Sequence, residues 1–476
     1  MSNDNSIKSA LNQPVLFPEL TRKIVTTNFD GGHVSSDGGC VLLARLDHSF
    51  GYVKRFAACF HDYRDPDLIE HSVLELLRQR VYGLGLGYED LNDHDRLCTD
   101  PLLASACGKT DPLGQERQRE ADRGKALAGK STLNRLELTP ADANAQSRYQ
   151  KIVANRNALE DYFIEEWVRS LAPDTREVIL DLDRTDDPLY GLQEGRFFQG
   201  YYDEYCYTPL YIFAGHWPVV AALHTAESEH RAEVLRLLGK IAERVRRRCP
   251  GVQIIVRGDS GFCREEYMTW CEAQEVKYVF GLARNPVLER LLRGSLRTAQ
   301  SMWEFNHSKC ERVFKDFRYR AQSWGPQKRR VVGKAEWSVQ GGNPRFVITN
   351  LSEQEWPAQA LYEQLYCERG DMENRIKEQK LDLFAGRTST ATLRANQLRL
   401  WFSTLAYLLV NQLRQVGLAG TELATATCAT IRVKLFKIGA VIRVTVRRIW
   451  VSLSSAYPLA HLFALVAQRL QGAASD

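Results

Sequence analysis

The sequence predicts an α/β fold in which a layered core of strands and helices follows a mostly helical N-terminal domain. Two β-branched runs, 178–183 and 252–259, are typical of buried strands. Between 177 and 283, three strand patterns, the second at 207–214, are followed by strands that alternate with helices. This order favours three antiparallel strands beside helix-linked parallel ones. Residues before about 176 show helical periodicity with glycine breaks instead.

The N-terminal domain, predicted over 1–175, is expected to be a set of short helices. Leu74, Leu77 and Val81 have the spacing of one helix face, and Gly83 is the expected end of that helix. Short helices with a basic polar face would suit a helix-turn-helix that binds DNA. A helical scaffold without DNA contacts is the alternative.

The other predicted domains follow from changes in pattern along the chain. Three stretches within 284–356 alternate like antiparallel strands, which predicts a β-rich insertion in the core. Near the C-terminus, a basic hairpin around Gly439 is predicted to precede a helix after Pro458. The predicted boundaries are therefore 176–283 for the first part of the core, 284–356 for the insertion, 357–415 for the second part of the core, and 416–476 for the hairpin and helix.

Composition and charge indicate an ordinary globular protein. The chain has 476 residues, of which 44% are hydrophobic and 25% charged, so it has ample material for a core. The net charge of +5 argues only weakly for nucleic acid as a partner. The stretch 423–475, however, contains no acid and several Lys and Arg residues, which favours phosphate contacts there.

Cysteine usage and the apolar segments predict a cytoplasmic protein without membrane contact. The 11 cysteines form no Cys-x-x-Cys pair, so neither a zinc site nor a disulfide framework is predicted. Reduced thiols in a cytosol are expected instead. The N-terminus has no signal pattern. The longest apolar helix, near 400–410, falls short of the ~20 residues that a membrane span needs, and a buried core helix is expected there.

Four polar residues between 366 and 380 have the spacing of one helix face. Tyr366, Arg369, Glu373 and Lys380 follow each other at steps of three, four and seven residues. A core-facing helix carries apolar residues at such spacings. A carboxylate flanked by cations suits the binding of a metal beside phosphate, and a solvated face with ordinary ion pairs is the alternative.

Two predicted strands end in aspartates, although Asp is a poor strand residue. Asp181 and Asp183 share one face of the first strand, and Asp259 ends the second. Asp259 as a helix N-cap and Asp183 as a turn former are the alternatives. Converging in space, Asp183, Asp259 and Glu373 can hold two magnesium ions roughly 4 Å apart, which activate a water or 3′-hydroxyl. Tyr366, Arg369 and Lys380 would then bind phosphate oxygens.

With these residues the chain resembles the Asp-Asp-Glu transposases of bacterial insertion sequences. Asp183-x-Thr185, Asp259 and Glu373 look like their catalytic triad, and the stripe of four polar residues is similar to the Tyr-Arg-Glu-Lys signature of one large group. Asp181 is the alternative first acid, because it lies on the same strand face. Further similarity covers 180–188, 257–262 and 382–389 and, more weakly, 87–93.

The resemblance implies a ribonuclease-H-like core and a DNA transposase. It implies cleavage at transposon ends that depends on Mg²⁺, for which Mn²⁺ can substitute, followed by strand transfer into target DNA. It also implies that double-stranded DNA is the partner, that a homodimer forms in the DNA complex, and that the protein is associated with the bacterial nucleoid.

A predicted turn in the insertion offers further DNA contacts. Trp324 could stack on an extruded base, while Lys328 and Arg329 could hold the backbone. A hairpin turn with a partly buried Trp is the alternative.

Two other motifs in the sequence are expected to be coincidental. Residues 124–131 satisfy the Walker A pattern, but the charged segment 115–123 before them cannot form the buried strand that a P-loop needs. A P-loop ATPase that uses Lys130 is therefore the less favoured alternative. Residues 258–261 resemble the nucleophile segment of trypsin-like proteases, but the histidine segment of those enzymes is absent, so Ser260 is not expected to be a nucleophile.

Two further alternative functions are more similar to a transposase than a P-loop ATPase is. One is a metal-dependent nuclease of the same fold that cuts without strand transfer. The other is a catalytically dead DNA-binding protein, against which the complete triad argues.

Overall fold

A computed structural model describes residues 14–227 and 229–472. The chain groups into two units, Met1–Ala154 with Leu405–Asp476, and Asn155–Thr404. The first unit is mostly helical, and the second contains a large mixed sheet. The boundaries predicted at 176, 284, 357 and 416 stay predictions.

Short strands occur in both units. In chain order they are β1 Val15–Phe17, β2 Val25–Thr27, β3 His33–Ser35, β4 Phe60–Asp62, β5 Ile152–Ala154, β6 Glu177–Arg184, β7 Asp187–Pro188, β8 Phe197–Gln199, β9 Glu204–Tyr207, β10 Leu210–Ala214, β11 Trp217–Ala222, β12 Gln253–Gly258, β13 Lys277–Leu282, β14 Cys310–Tyr319, β15 Arg329–Ser338, β16 Gly341–Thr349, β17 Ala440–Val444 and β18 Ile449–Leu453.

The α-helices alternate with these strands. They are α1 Cys40–Phe50, α2 Tyr52–Ala57, α3 Val73–Leu86, α4 His94–Leu97, α5 Pro101–Cys107, α6 Lys130–Leu138, α7 Arg156–Ser170, α8 Arg231–Arg248, α9 Glu265–Ala273, α10 Pro286–Asn306, α11 Ala358–Ala360, α12 Gly370–Lys377, α13 Leu393–Gln412, α14 Cys428–Ile431 and α15 Ala460–Gly472. Tighter 3₁₀ turns are Pro66–Leu68, Leu91–Asp93, Glu120–Asp122, Ser260–Phe262 and Cys367–Arg369, and wider π-helical turns are Leu361–Tyr366, Glu378–Asp382, Leu413–Gly417 and Arg432–Phe436.

The large sheet has the strand order β11-β10-β6-β12-β13-β16-β15-β14. Strand β10 pairs antiparallel with β11 and β6, whereas β12 pairs parallel with β6 and β13. The parallel connections run through α8 and α9, as βαβ crossovers require. The prediction of three antiparallel strands followed by helix-linked parallel strands is therefore confirmed.

Strands β14, β15 and β16 extend this sheet. Strand β16 pairs antiparallel with both β13 and β15, and β15 pairs with β14. The segment 284–356, predicted as a β-rich insertion, thus consists of the 21-residue helix α10 and three strands that continue the core sheet. Its apolar side chains pack in the same core, since Val331 and Ile348 cluster with Ile254 of β12.

Helix α8 shows how the sheet is covered. Its Val234, Leu238 and Ile241 recur at helical spacing and are buried in one cluster with Leu180 of β6. Each such side chain contributes about 1.5–3 kcal/mol to the free energy of folding. The arginines at its C-terminal end lie in the last turn, where they complement the helix dipole.

The predicted strand 207–214 is two strands, β9 and β10, which belong to different sheets. Thr208 and Pro209 separate them, because proline has no N–H to donate to a continuing ladder. Strands β7, β9 and β8 come from the chain segment that connects β6 to β10, and they form a separate three-stranded sheet. The sequence patterns did not predict this sheet, since its strands are only two to four residues long.

Helix α3 continues past its predicted end at Gly83 and ends at Gly87. It begins with a capping box, in which Ser72 and Glu75 bond each other's backbone N–H groups. Gly87 adopts a φ of 95° and its N–H donates to the carbonyl groups of Gly83 and Leu84. The left-handed conformation that terminates the helix is available at Gly87, whereas Gly83 stays helical.

The C-terminal hairpin is formed by β17 and β18, and its turn lies at 445–448. The Thr445 N–H donates to the Arg448 carbonyl over 2.9 Å. The expected turn at Gly439 was therefore wrong: Gly439 precedes β17, and the residues before it form α14 and a π-helical turn. The helix expected after Pro458 is α15. Within 14–227 and 229–472, no helix is long and apolar enough to cross a membrane.

Replacement of Gly87 by alanine should destabilise the helical unit. A φ of 95° is strained for alanine, and its Cβ would lie 2.9 Å from the Arg432 Cδ atom. We expect Gly87→Ala to lower the free energy of unfolding by about 1–2 kcal/mol, measured by chemical denaturation. The matched control is Gly294→Ala, in the exposed interior of α10 with no atom within 4 Å of its Cβ, which should raise that free energy by about 0.5–1 kcal/mol. Equal effects of the two substitutions would contradict this account.

Candidate active site

Parallel pairing of β6 with β12 brings two of the predicted acids to one sheet edge. Asp183 lies near the end of β6, and Asp259 directly follows Gly258, the last residue of β12. The carboxyl ends of parallel strands meet at the same edge, where open α/β sheets usually bind ligands. Asp183, Asp259 and Glu373 line one open cavity at this edge.

The third acid is carried by a helical segment whose type changes along its length. A π-helical turn ends at Tyr366, a 3₁₀ turn ends at Arg369, α12 carries Glu373, and a second π-helical turn contains Lys380. The prediction of one regular α-helical face is therefore only partly right. The segment nevertheless directs Arg369 and Lys380 towards the end of β6, as their contacts show. Such π-helical turns are frequent at functional sites.

The Arg369 guanidinium bridges two of the three acids. Its Nη1 lies 3.3 Å from the Asp183 Oδ2 atom, and its Nη2 donates to the Glu373 Oε1 atom over 2.9 Å. Burial raises the pKa of Asp183 to about 6, with a further contribution from the Asp259 and Glu373 carboxylates, although Arg369 opposes the rise. The acids are thus close enough to repel each other, and a single cation partly compensates that repulsion.

Asp181, the alternative first acid, is held in a buried ion pair. The Arg257 Nε and Nη2 atoms donate to its two carboxylate oxygens over 2.6 and 2.7 Å. The Arg257 Nη1 atom donates to the Leu365 carbonyl over 2.6 Å. Asp181 therefore joins β6 to β12 and to the helical segment, whereas Asp183 lines the cavity with the other acids. This geometry favours Asp183 as the first acid.

The Tyr366 hydroxyl and the backbone that follows Asp259 both approach Gly281 closely. A Cβ atom on Gly281 would lie 2.6 Å from the Tyr366 hydroxyl and 3.0 Å from the Ser260 nitrogen, so only glycine allows this approach. Burial raises the pKa of Tyr366, with the Asp259 carboxylate contributing and Arg369 opposing. The Tyr366 hydroxyl is therefore protonated at neutral pH and can donate a hydrogen bond.

Asp259 also caps the turn that follows it, as the alternative interpretation expected. Its Oδ1 atom accepts a hydrogen bond from the Gly261 N–H over 2.9 Å, at the start of the 3₁₀ turn Ser260–Phe262. Asp259 can cap the turn and line the cavity at the same time, because one carboxylate has two oxygens with several acceptor sites.

Lys380 is anchored to the chain that follows β6. Its ammonium donates to the Thr185 hydroxyl over 3.0 Å and to the Asp186 carbonyl. It also lies 3.7 Å from a carboxylate oxygen of the fully buried Asp187. Burial raises the pKa of Asp187 to about 8, although Lys380 opposes the rise. In this conformation Lys380 positions the end of β6, and its role as a phosphate ligand stays a prediction.

The donor chemistry of the site fits a hard divalent cation. Within the described residues, no three His, Cys, Asp or Glu side chains are grouped closely enough to hold an ion. The three predicted acids that line the cavity are nevertheless carboxylates, the ligands that Mg²⁺ accepts, and two of them already share the positive charge of Arg369. Because Arg369 contacts one oxygen each of Asp183 and Glu373, a bound metal would compete with its guanidinium for these two carboxylates.

The predicted DNA contacts in the 324–330 turn are not brought to this cavity. Trp324 is buried, with its ring edge-on to Tyr319. Arg329 is also buried and forms ion pairs with Glu265 and Glu272, each over 2.7 Å. In this structure neither side chain is exposed for stacking on a base or for binding a phosphate, and of the three only Lys328 is exposed.

The Walker A match does not form a P-loop. A 3₁₀ turn, Glu120–Asp122, precedes residues 124–131 where a P-loop needs a buried strand. The Lys130 ammonium bonds the Asn92 side chain over 3.1 Å and pairs with Asp95 over 3.2 Å.

Two features of the site were not predicted from the sequence. Arg257 is a charged residue within a buried β-branched run, which could have indicated a buried partner such as Asp181. An aromatic-rich segment, 197–205, lies in the small sheet beside the cavity, and two of its tyrosines, Tyr201 and Tyr202, line that cavity with the acids. Its density of aromatic residues was the available signal.

Comparisons with known proteins were made for the whole chain. The family described as Transposase DDE domain group 1 matches residues 17–475. None of the curated proteins compared matches the sequence. Among solved structures, the piggyBac transposase synaptic complex with hairpin DNA is similar, with a TM-score of 0.38 and 11% sequence identity, covering 83% of this chain and 79% of that chain.

Neutralising Asp181 should destabilise the protein strongly, whereas neutralising Asp183 should not. Asp181→Asn leaves the buried Arg257 charge without its counter-ion, which should cost about 3–5 kcal/mol in the free energy of unfolding. Asp183→Asn removes a carboxylate that burial and two neighbouring acids disfavour, so the melting temperature should change little. Thermal and chemical unfolding of the two variants tests this assignment. A stable Asp181→Asn protein would show that the ion pair does not join the strands.

Proposed function

This chain belongs to the Transposase DDE domain group 1 family, and we propose that it is the DNA transposase of a bacterial insertion sequence. In this proposal it cuts DNA at the transposon ends and transfers the cut strands into target DNA. The observation that carries the proposal is the placement of Asp183, Asp259 and Glu373 around one cavity at the sheet edge. The strand order and directions of the sheet support a ribonuclease-H-like core.

The residues that would hold divalent cations are Asp183, Asp259 and Glu373. The cation would be Mg²⁺, for which Mn²⁺ could substitute. Bound there, such cations would activate a water or 3′-hydroxyl and stabilise the leaving oxygen of a phosphodiester. The carboxylates need no covalent role in this chemistry. Burial, and after it the Asp259 and Glu373 carboxylates, raise the pKa of Asp183, so a concentrated positive charge in the cavity would favour its ionised form.

Arg369 and Tyr366 would orient the DNA phosphate next to the cut. The guanidinium can bind a phosphate bidentately once it leaves Asp183 and Glu373. The protonated Tyr366 hydroxyl, held against Gly281, can donate to another phosphate oxygen. Lys380 keeps the segment after β6 in position through Thr185 and Asp186, and it would reach a phosphate only if those bonds opened.

The partner in this proposal is double-stranded DNA, first at the two element ends and then at the target. Bringing two ends together suggests a homodimer in the DNA complex. The protein would act in the cytoplasm of a bacterium, at the nucleoid. The acid-free stretch 423–475 would contribute phosphate contacts outside the cavity.

Cleavage of element-end DNA tests this function. The substrate is a labelled duplex with the sequence that flanks the gene, incubated with Mg²⁺ and the full-length protein. We expect wild type to cut, and Glu373→Gln and Asp259→Asn to cut more than about a hundredfold more slowly. A metal-bound transition state is stabilised by several kcal/mol, and each 1.4 kcal/mol is a factor of ten in rate. Both variants should bind the DNA as wild type does.

The matched control is Asp371→Asn, an exposed carboxylate on the same helix α12 that lines a different cavity. This variant should cut at the wild-type rate. Equal cutting by Glu373→Gln and wild type would contradict the proposed site. Cut products without joined products, in the presence of a plasmid target, would instead favour the nuclease without strand transfer.

A further inference from the structure

The aromatic side chains of the small β7-β9-β8 sheet form an exposed surface beside the acid-lined cavity. Five aromatic residues occur within 197–205, a segment that turns from β8 to β9. A small sheet usually buries such rings in a core, but here most of them are exposed. Neither the metal-binding acids nor the phosphate ligands account for this surface.

The geometry points to a stacking platform, formed by Tyr201 packed edge-on against Tyr202, for an unpaired nucleobase of the DNA strand that enters the cavity. This inference rests on the proposed function, since it assumes that the occupant of the cavity is DNA. It assigns to this surface the role that the sequence had suggested for Trp324, which is buried.

Phe198 and Tyr205 form a second aromatic pair, on strands β8 and β9, which does not line the cavity. They are direct partners in the β8–β9 register, so their side chains lie on the same face of the sheet. Their ring centroids are 5.4 Å apart in an edge-to-face arrangement, and 45% of Phe198 and 42% of Tyr205 are exposed. The Arg196 guanidinium lies 3.5 Å from the Tyr205 ring centroid. This guanidinium therefore already occupies one face of the Tyr205 ring in a cation–π contact.

Tyr201 lies at the cavity itself. It is 87% exposed, and its ring lies 4.9 Å from that of Tyr202 in an edge-to-face arrangement. Both tyrosines line the cavity together with Asp183, Asp259 and Glu373. A strand whose phosphate reaches the acids would therefore pass Tyr201 with one of its neighbouring bases.

Unpaired bases fit this surface better than a duplex does. Bases inside a duplex have both faces covered, so exposed rings can stack only on bases at an end or extruded from the helix. Stacking of a base on an aromatic side chain stabilises binding and tolerates any sequence, because every base has a π-face. A second copy of the chain is the competing occupant, because exposed aromatic residues also occur at protein interfaces.

Binding of single-stranded and duplex DNA tests the inference. The probes are a fluorescein-labelled thymidine dodecamer and a blunt duplex of the same length, titrated with full-length protein in EDTA so that no cutting occurs. We expect Tyr201→Ala to bind the single strand about tenfold more weakly, since 1.4 kcal/mol is a factor of ten, and to bind the duplex within about twofold of wild type. Tyr201→Phe keeps the ring and should bind both probes as wild type does.

The control is Tyr190→Ala, at a tyrosine that is 94% exposed but does not line the cavity; this variant should bind as wild type does. The inference is overturned if wild type does not bind the single strand, or if Tyr201→Ala binds it normally or loses duplex binding equally. A change in sedimentation of Tyr201→Ala without a change in DNA binding would assign the surface to a second copy instead. Cleavage by wild type in Mg²⁺ is scored separately, so failure of the platform and failure of the proposed function give different results.

Discussion

The buried guanidinium of Arg257 is the interaction on which the arrangement of the acids depends. It binds both carboxylate oxygens of Asp181 and the carbonyl of Leu365. Strand β6, strand β12 and the helical segment that carries Glu373 are therefore fixed to one another at a single point. A buried charge is costly unless it is fully paired, so the three segments have one favourable arrangement and few alternatives. The positions of Asp183 and Asp259 follow from it.

Close to this rigid point lies a cavity whose charges are incompletely balanced. Five acidic residues and three arginines line it, and of the three predicted acids only Asp183 and Glu373 contact Arg369 directly. The same guanidinium is the group best suited to bind a phosphate. On the proposed function, binding of DNA and binding of cations to the acids would therefore be coupled, because each would favour release of Arg369 from the carboxylates. The two ligands would then be linked by charge balance more than by shape.

Local sequence patterns were enough to predict those parts of the site that lie on a single strand or helix. Asp183 and Asp259 could be recognised as acids near the ends of two strands, and Glu373 by its spacing from Arg369 on one helix face, whereas their grouping as a triad came from the resemblance to a family. Packing between distant segments could not be predicted. The pairing of Arg257 with Asp181 and the burial of Trp324 depend on which surfaces meet in the folded chain. The β8–β9 strands were missed because they are too short to show a periodic pattern.

The bridge from Arg369 to Asp183 spans 186 residues of sequence. Contacts of such separation form late, since the intervening chain must be ordered first. During translation, β6 and β12 can pair while the ribosome is still adding the residues of β14 to β16. The last carboxylate emerges only after those strands. A nascent or prematurely terminated chain that ends before Glu373 could thus fold much of its sheet while its cavity still lacks the third acid, so on the proposed function the order of synthesis would delay cutting until the chain is nearly complete.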